Sequence, residues 1–238
     1  MNLKFWLFLS AFILSTLSTK VDAAKEVVFN LPIKNSQSQY VIELMTLAYK
    51  SLGYDLVLKE HPYDTVLQAA NQGVFDGQLG RIADISKNYP DLIKVPFALF
   101  DFKLLLIHEK KTCDPCDISH FSSISYRSGF PVAHKFLNKV QYLGERIPVQ
   151  NIKTQLSLLA QKKVDAVLLL NFQLSHDFPH FESANYQTQE VSFLNSYHFL
   201  HAKNKDLIAP LTKKLLALKE SGVIQKLKDK HGIKSYRF

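Results

Sequence analysis

Twice along this chain, short apolar runs alternate with stretches of helical periodicity, and that alternation restricts the fold more than any other feature. The first round begins with the strand-length run 27–31, stopped by Pro32. Ile42, Met45, Leu47 and Ala48 then recur at helical spacing before Gly53. A second strand at 56–58, a helical stretch at 63–72 closed by Gly73, and a third strand at 75–79 follow. The second round holds strands at 102–108, 124–127, 148–149 and 164–170, with helices at 132–140 and around Ile152, Leu156, Leu159 and Ala160. Strands separated by helices need crossover connections, so each round predicts a largely parallel sheet covered by helices. Extended segments near residues 100 and 195 join the two rounds. The pattern predicts an α/β, two-lobe clamshell with two crossover hinge segments, ending in helices at 205–220 and 223–230 around Gly222.

The first 23 residues read as a signal peptide rather than as fold. Lys4 supplies a short positive region, residues 5–14 an apolar region of about ten residues, and Val21-Asp22-Ala23 a cleavage site cut after Ala23. An uncleaved anchor is the alternative. No cysteine follows the apolar region, which argues against a lipid anchor, and no other apolar run is long enough to span a bilayer. The expected location is the periplasm. The formal net charge is +8. Lysine clusters at 110–111, 162–163, 213–214 and 226–230 read most simply as solvated faces, although a basic surface also attracts anions or an anionic membrane. Export argues against a nucleic-acid partner.

Cys113 and Cys116 are the only cysteines. In an oxidising compartment such a C-x-x-C pair reads as a local disulfide. Two other readings stay open. A redox motif should open a helix after a strand, whereas polar residues follow here. Zinc would add His108 and His120, in an unfamiliar spacing.

The stretch 73–81, Gly-Val-Phe-Asp-Gly-Gln-Leu-Gly-Arg, reads as a strand ending in a glycine-rich turn with Arg81 at its tip, and ligands of α/β sheets sit beyond strand ends. The planar fork of Arg81 suits a carboxylate or phosphate; the plainer reading is a salt bridge to Asp84 or Asp76. Arg127, Ser128 and Gly129 form a second strand-end turn whose N–H groups can bind an anion, or an ordinary connection. Tyr63, Phe97, Phe100, Tyr126 and Tyr197 fall at strand ends or hinge segments, where an aromatic can pack on a ligand or simply on the core. Asn30 and Gln39 lie beside the end of the first strand, and Asn171 at the matching place in the second round. No H-E-x-x-H, G-x-S-x-G or Walker loop occurs, and Pro179 breaks the His176/His180 pair. No catalytic residue, metal site or cofactor is assigned.

Several of these segments, in this order, resemble family-3 periplasmic solute-binding proteins of the amino-acid-binding type. They are Gly73-x-Phe75-Asp76-Gly77 leading to Gly80-Arg81, Tyr89-Pro90 before Val95-Pro96-Phe97, residues 125–129, Lys163-Val-Asp165-Ala-Val167, and the tail from Asp206-Leu-Ile to Ser221-Gly222-Val-Ile. The resemblance spans nearly the whole chain after the signal peptide. It implies the type 2 periplasmic-binding-protein-like clamshell, with lobe one at 24–101 plus 196–238, lobe two at 102–195, and a ligand in the cleft. In that family a lobe-one arginine holds the ligand carboxylate, and an acidic residue after the Val-Asp-Ala-Val strand holds the amine. Here Arg81 lies nearer its strand than the usual Thr-x-x-Arg, and Leu168-Leu169-Leu170-Asn171 replaces the acid. An amide cannot pair a cation by charge, so a carboxylate without the amine gains over an α-amino acid. The expectation is a monomeric binding protein for a small polar or anionic ligand, serving a membrane importer or a sensor kinase or cyclase. The rivals are a secreted dehydratase of cyclic acids using Glu182 or Glu190, and a ligand-free interaction module.

Overall fold

The computed structural model describes residues 24–113, 115–128, 131–177 and 185–233. The signal peptide, Gly129 and Glu182 lie outside them. The first strand, β1 (Lys25–Asn30), pairs in parallel with β2 (Tyr54–Lys59) across helix α1 (Ser36–Lys50). Helix α1 starts at Ser36, well before its first apolar residue at helical spacing, because Asn35 caps it. Its Oδ1 accepts from Ser38 N at 2.8 Å, and Ser38 Oγ accepts from Asn35 N at 2.9 Å. Helix α2 (Val66–Asn71) and strand β3 (Gly77–Ile82) follow.

Two long antiparallel strands dominate the molecule. Strand β4 (Leu92–Glu109) has 18 residues and β8 (Tyr186–His201) has 16, and they pair from Leu92 opposite His201 to Glu109 opposite Tyr186. The sequence pattern shows β4 as two apolar pieces, one up to Phe97 and one at 102–108, and shows β8 only from residue 193. Register shifts between Lys94 and Ala98, Ala98 and Phe100, and Leu104 and Leu105 interrupt the two-residue alternation that would reveal one continuous strand. Along β4 the environment changes. Val95, Phe97 and Leu99 are buried while Lys94, Pro96 and Ala98 are exposed; residues 104–108 are all buried. The strand therefore leaves a region covered on one face and enters one covered on both.

Strands β5 (Ser123–Arg127), β6 (Glu145–Val149) and β7 (Ala166–Leu170) complete a six-stranded sheet of order β3-β8-β4-β7-β5-β6. Helices α3 (Pro131–Lys139), α4 (Ile152–Ala160) and α5 (Asn171–Asp177) connect or follow them. Ile152, Leu156 and Leu159 of α4 pack on Leu105, Ile107, Val167 and Leu169. Buried Gln155 ties the sheet beneath, its Nε2 donating to Ser125 O at 3.0 Å and to Leu168 O at 2.7 Å.

The chain returns to its first half. Helices α6 (Ile208–Glu220) and α7 (Val223–Lys230) put Leu211, Leu215, Ile224 and Leu227 into the core with Val27, Phe29, Leu44 and Met45. Gly222, at φ 75°, allows the reversal between them. Glu43 of α1 accepts from Lys230 Nζ at 2.7 Å and lies 2.7 Å from His231 Nε2, tying α1 to the C-terminal helix. The result is two α/β lobes joined through β4 and β8.

The sulfurs of Cys113 and Cys116 are paired in the loop after β4, and Cys116 N donates to Gln189 Oε1 at 3.0 Å. Among the described residues no three His, Cys, Asp or Glu side chains gather as a metal site. Among them too, no helix is long and apolar enough to cross a membrane.

Candidate functional site: the interlobe cleft

The site is built around a bulge in β3. Gln78 stands opposite Phe199 and Arg81 opposite Tyr197, so Leu79 and Gly80 together face the single residue His198. Gly80 and Arg81 therefore lie within a strand, not at the tip of a turn as expected from the glycine spacing. A Cβ on Gly80 would come 3.1 Å from Ser196 Oγ, a close approach that holds β3 against β8 here. The bulge strips Leu79 O of a ladder partner, and buried His198 supplies one: its Nδ1 lies 3.3 Å from that oxygen. Its Nε2 lies 2.7 Å from Tyr49 Oη, so a neutral ring donates at Nδ1 and accepts from the phenol. Burial pushes the His198 pKa down from 6.5 to about 4, keeping it neutral.

Arg81 leaves this bulge into the cleft. Its Nη1 donates to Gly80 O at 2.9 Å, and its guanidinium carbon lies 5.8 Å from the Tyr63 ring centre. Desolvation lowers its pKa from the ordinary guanidinium value. Neither acid that could have neutralised it does so. Asp76 accepts from Val28 N at 2.6 Å and Asn204 Nδ2 at 2.8 Å, and pairs with Lys203 at 3.0 Å. Burial alone would raise the Asp76 carboxyl, but these donors hold it below its ordinary value. Asp84 pairs with Lys87 at 3.5 Å and with Lys135 of α3 at 4.0 Å. Among the described residues no carboxylate lies within 4.0 Å of the Arg81 guanidinium.

Two adjoining chambers, of about 160 and 350 Å³, share Tyr63, Gly80, Arg81, Phe100, Phe172 and Ser196 as walls. The smaller lies at the start of α1, where Asn30, Asn35, Gln37 and Ser38 line it beside Pro32, Ile33, Val41 and Leu79. The larger is mostly apolar. Leu67, Ile82 and Phe102 line it from β3, β4 and α2, and Val132 and Leu170 from the second lobe. Phe102 stacks edge-on against Phe172 at 5.8 Å and lies 6.0 Å from Phe100, so the aromatic wall crosses from hinge to second lobe.

Four of the residues expected at or near a site, Asn30, Tyr63, Arg81 and Phe100, thus meet in the cleft. The other described candidates line neither chamber. Gln39 is exposed on α1, and Phe97 is buried in the core. Tyr126 packs on the His134 ring at 6.4 Å, and Arg127 ends β5. Ser128 donates from N and Oγ to Val149 O. Asn171 Oδ1 accepts from Lys103 N at 2.9 Å, and Tyr197 lies beneath Lys94 Nζ at 4.7 Å. Sequence reasoning did not assign Gln37, Ser38, Phe102, Phe172 or Ser196. Phe172 was accessible to it, since it lies two residues after the apolar strand that ends at Leu170. Ser196 was not, because only the strand pairing places it opposite Ile82 and Phe100.

No family model and no curated relative matches the chain. Solved structures do. A histidine kinase sensor domain with similarity to periplasmic binding proteins superposes with TM-score 0.68 at 13% identity, covering 88% of this chain and 96% of its own. An ancestral arginine-binding protein bound to arginine gives TM-score 0.66 at 17% identity, with 87% and 98% covered. The fold is that of the two-lobe solute-binding proteins. An ancestral amino-acid-binding protein, a precursor of cyclohexadienyl dehydratase, also shares this solute-binding fold, with TM-score 0.65 at 13% identity and 89% and 96% covered. In this solute-binding fold the six shared wall residues stand between the lobes, on β3, β4, β8, the loop before α2, and α5.

Proposed function

We propose that this chain is an exported solute-binding protein that captures a small anionic ligand between its lobes, with Arg81 as the anchor. The observation that carries this reading is the half-buried Arg81 guanidinium, shared by both chambers and with no carboxylate within 4.0 Å among the described residues. A desolvated cation without a counter-charge is costly, and a ligand anion removes that cost. Asn30, Ser38 and Tyr63 complete the first-lobe half of the cage. Residues 24–101 with 196–238 form lobe one and 102–195 lobe two, and closure bends the paired strands β4 and β8 between them. Cleavage after Ala23 releases the protein to the periplasm, where it works as a monomer. Cys113 and Cys116 then hold an oxidised disulfide. It presents its ligand to a membrane importer or a sensor protein. The dehydratase reading has less support: Glu190 is held by Lys103 on the hinge, away from the chamber walls.

A thermal-shift screen of the chain without residues 1–23 tests this, using amino acids, monocarboxylates, dicarboxylates, sugars and phosphate. A ligand at 100 times its Kd adds about 2.7 kcal/mol of stability. The expected hit is an anion whose shift disappears in Arg81→Ala and which is recovered chemically unchanged. A hit indifferent to Arg81→Ala removes Arg81 from the site, and conversion of the ligand establishes an enzyme.

A further inference from the structure

The two chambers meeting at Arg81 differ in a way that bears on what the ligand carries besides its anion. An α-amino acid brings an ammonium that must be paired when it leaves water. Among the described residues the cleft walls hold one carboxylate, Asp64, and it is exposed. The amide of Asn171, which follows β7, has its oxygen occupied by Lys103 N. Apart from Arg81, the described residues of the small chamber offer neutral groups only. Asn35 Oδ1 is occupied in capping α1, while Gln37 Oε1 is a buried amide oxygen with no partner among the described residues. Such acceptors can take a hydrogen bond but do not offset a charge.

The large chamber is suited to something else. Phe100, Phe102, Phe172, Leu170 and Val132 surround a volume of about 350 Å³. A dry apolar cavity of about 150 Å³ already accepts benzene, so this one has room for a ring and a short alkyl stem. Arg81 stands at its edge, within reach of the end of such a stem.

Building on the binding reading above, we propose that the cleft takes an apolar monocarboxylate without an α-ammonium group. Its carboxylate sits on Arg81 and its aryl or branched-alkyl body lies among Phe100, Phe102, Phe172 and Leu170. The second lobe then recognises the apolar body rather than an amine, and closure of Leu170 and Phe172 over it removes apolar surface from water.

Isothermal titration of the protein with 3-phenylpropionate, L-phenylalanine and succinate tests the assignment. The first two differ by the ammonium alone, and succinate replaces the ring with a second charge. The expected order places 3-phenylpropionate at least about tenfold tighter than either, a difference of about 1.4 kcal/mol. Phe172→Ala should weaken 3-phenylpropionate and Arg81→Met should abolish it, with circular dichroism confirming that both variants are folded. Equal or tighter binding of L-phenylalanine overturns the proposal while leaving the binding reading intact, because it shows that the ammonium is paired. Tighter binding of succinate overturns it in the same way. Failure of all three to bind overturns it too, and a panel of phosphate, acetate and the standard amino acids then separates the cases: a hit there preserves the binding reading, and none removes it.

Discussion

Replacing His198 with Asn takes a titrating group out of the lobe-one core while keeping a donor near the position of the imidazole Nδ1. The ring is fully buried, 5.1 Å from the Phe29 ring, with Tyr49 on Nε2 and Leu79 O on Nδ1. Burial lowers its pKa to about 4 in the folded protein, against 6.5 in an open chain. Between those values the unfolded chain holds the proton and the native state does not. The stabilising contribution is therefore complete above 6.5 and drains away as pH falls toward 4. At about 1.4 kcal/mol per pH unit, wild type should lose roughly 2 kcal/mol through this one group between about pH 7.5 and pH 5. Glu43 and Asp76, whose carboxyls are held low by their donors, add acid sensitivity at lower pH. They are present in both proteins and cancel in the comparison. Urea unfolding of wild type and His198→Asn at the two pH values measures the effect. The variant starts less stable, by about 1–3 kcal/mol for the orphaned Tyr49 hydroxyl, but its stability should change less with pH by roughly 2 kcal/mol. Equal pH dependence in the two proteins, within about 0.5 kcal/mol, would refute the reasoning. Because His198 partners the carbonyl freed by the β3 bulge, the variant also reports on Arg81: ligand affinity at about pH 7.5 should hold where Asn still donates to Leu79 O.

Other consequences are open to direct measurement. Gln155→Leu leaves Ser125 O and Leu168 O without their side-chain donor, and should cost about 2–3 kcal/mol in chemical unfolding; a neutral result would show that the bridge carries no stability. Gly77→Ala would place a Cβ 2.0 Å from Phe199 O at φ 155°, so a loss of at least about 3 kcal/mol, seen as poor soluble yield or a much lower Tm, is expected. A normal melt would mean that the strand pair can move apart there. Reducing the Cys113–Cys116 pair opens a very short loop, worth at most about 2 kcal/mol or roughly 4–8 °C in a chain of this size. Alkylation of both thiols without reductant would show that the pair is not oxidised.

The elements were legible where their signals are local. Helices α4 and α7 match the spacing of their apolar residues closely, and β5, β7 and α3 agree to within two residues. Long strands were harder to see. Strand β4 holds Pro96 and changes from one-sided to two-sided burial midway, so its pattern reads as two pieces although it is one. Helix α5 is only seven residues long and has no clear apolar face. Arg81 was legible as a candidate because an arginine after a glycine-rich strand is a local feature. Its geometry was not, since the bulge that aims it depends on pairing with β8, more than 100 residues away.

By itself, the order of strands, helices, prolines and glycines determined that this chain makes two α/β units linked by extended segments, because backbone periodicity is set by neighbours three or four residues apart. It also brought Arg81 forward as chemically suited to an anion, Tyr63 as an aromatic able to pack on a ligand, and Asn30 by its place beside the end of the first strand. Only the tertiary structure decided which side chains share a wall. Asp76 and Asp84 stand close to Arg81 in sequence, yet lysines brought from residues 203 and 135 claim them, and no carboxylate of the described residues lies within 4.0 Å of the guanidinium. Phe172 and Ser196 reach the same cleft only because β4 and β8 fold the two lobes together. A binding site is a set of long-range contacts, and those are settled by strand register and lobe packing, neither of which leaves a periodic trace along the chain.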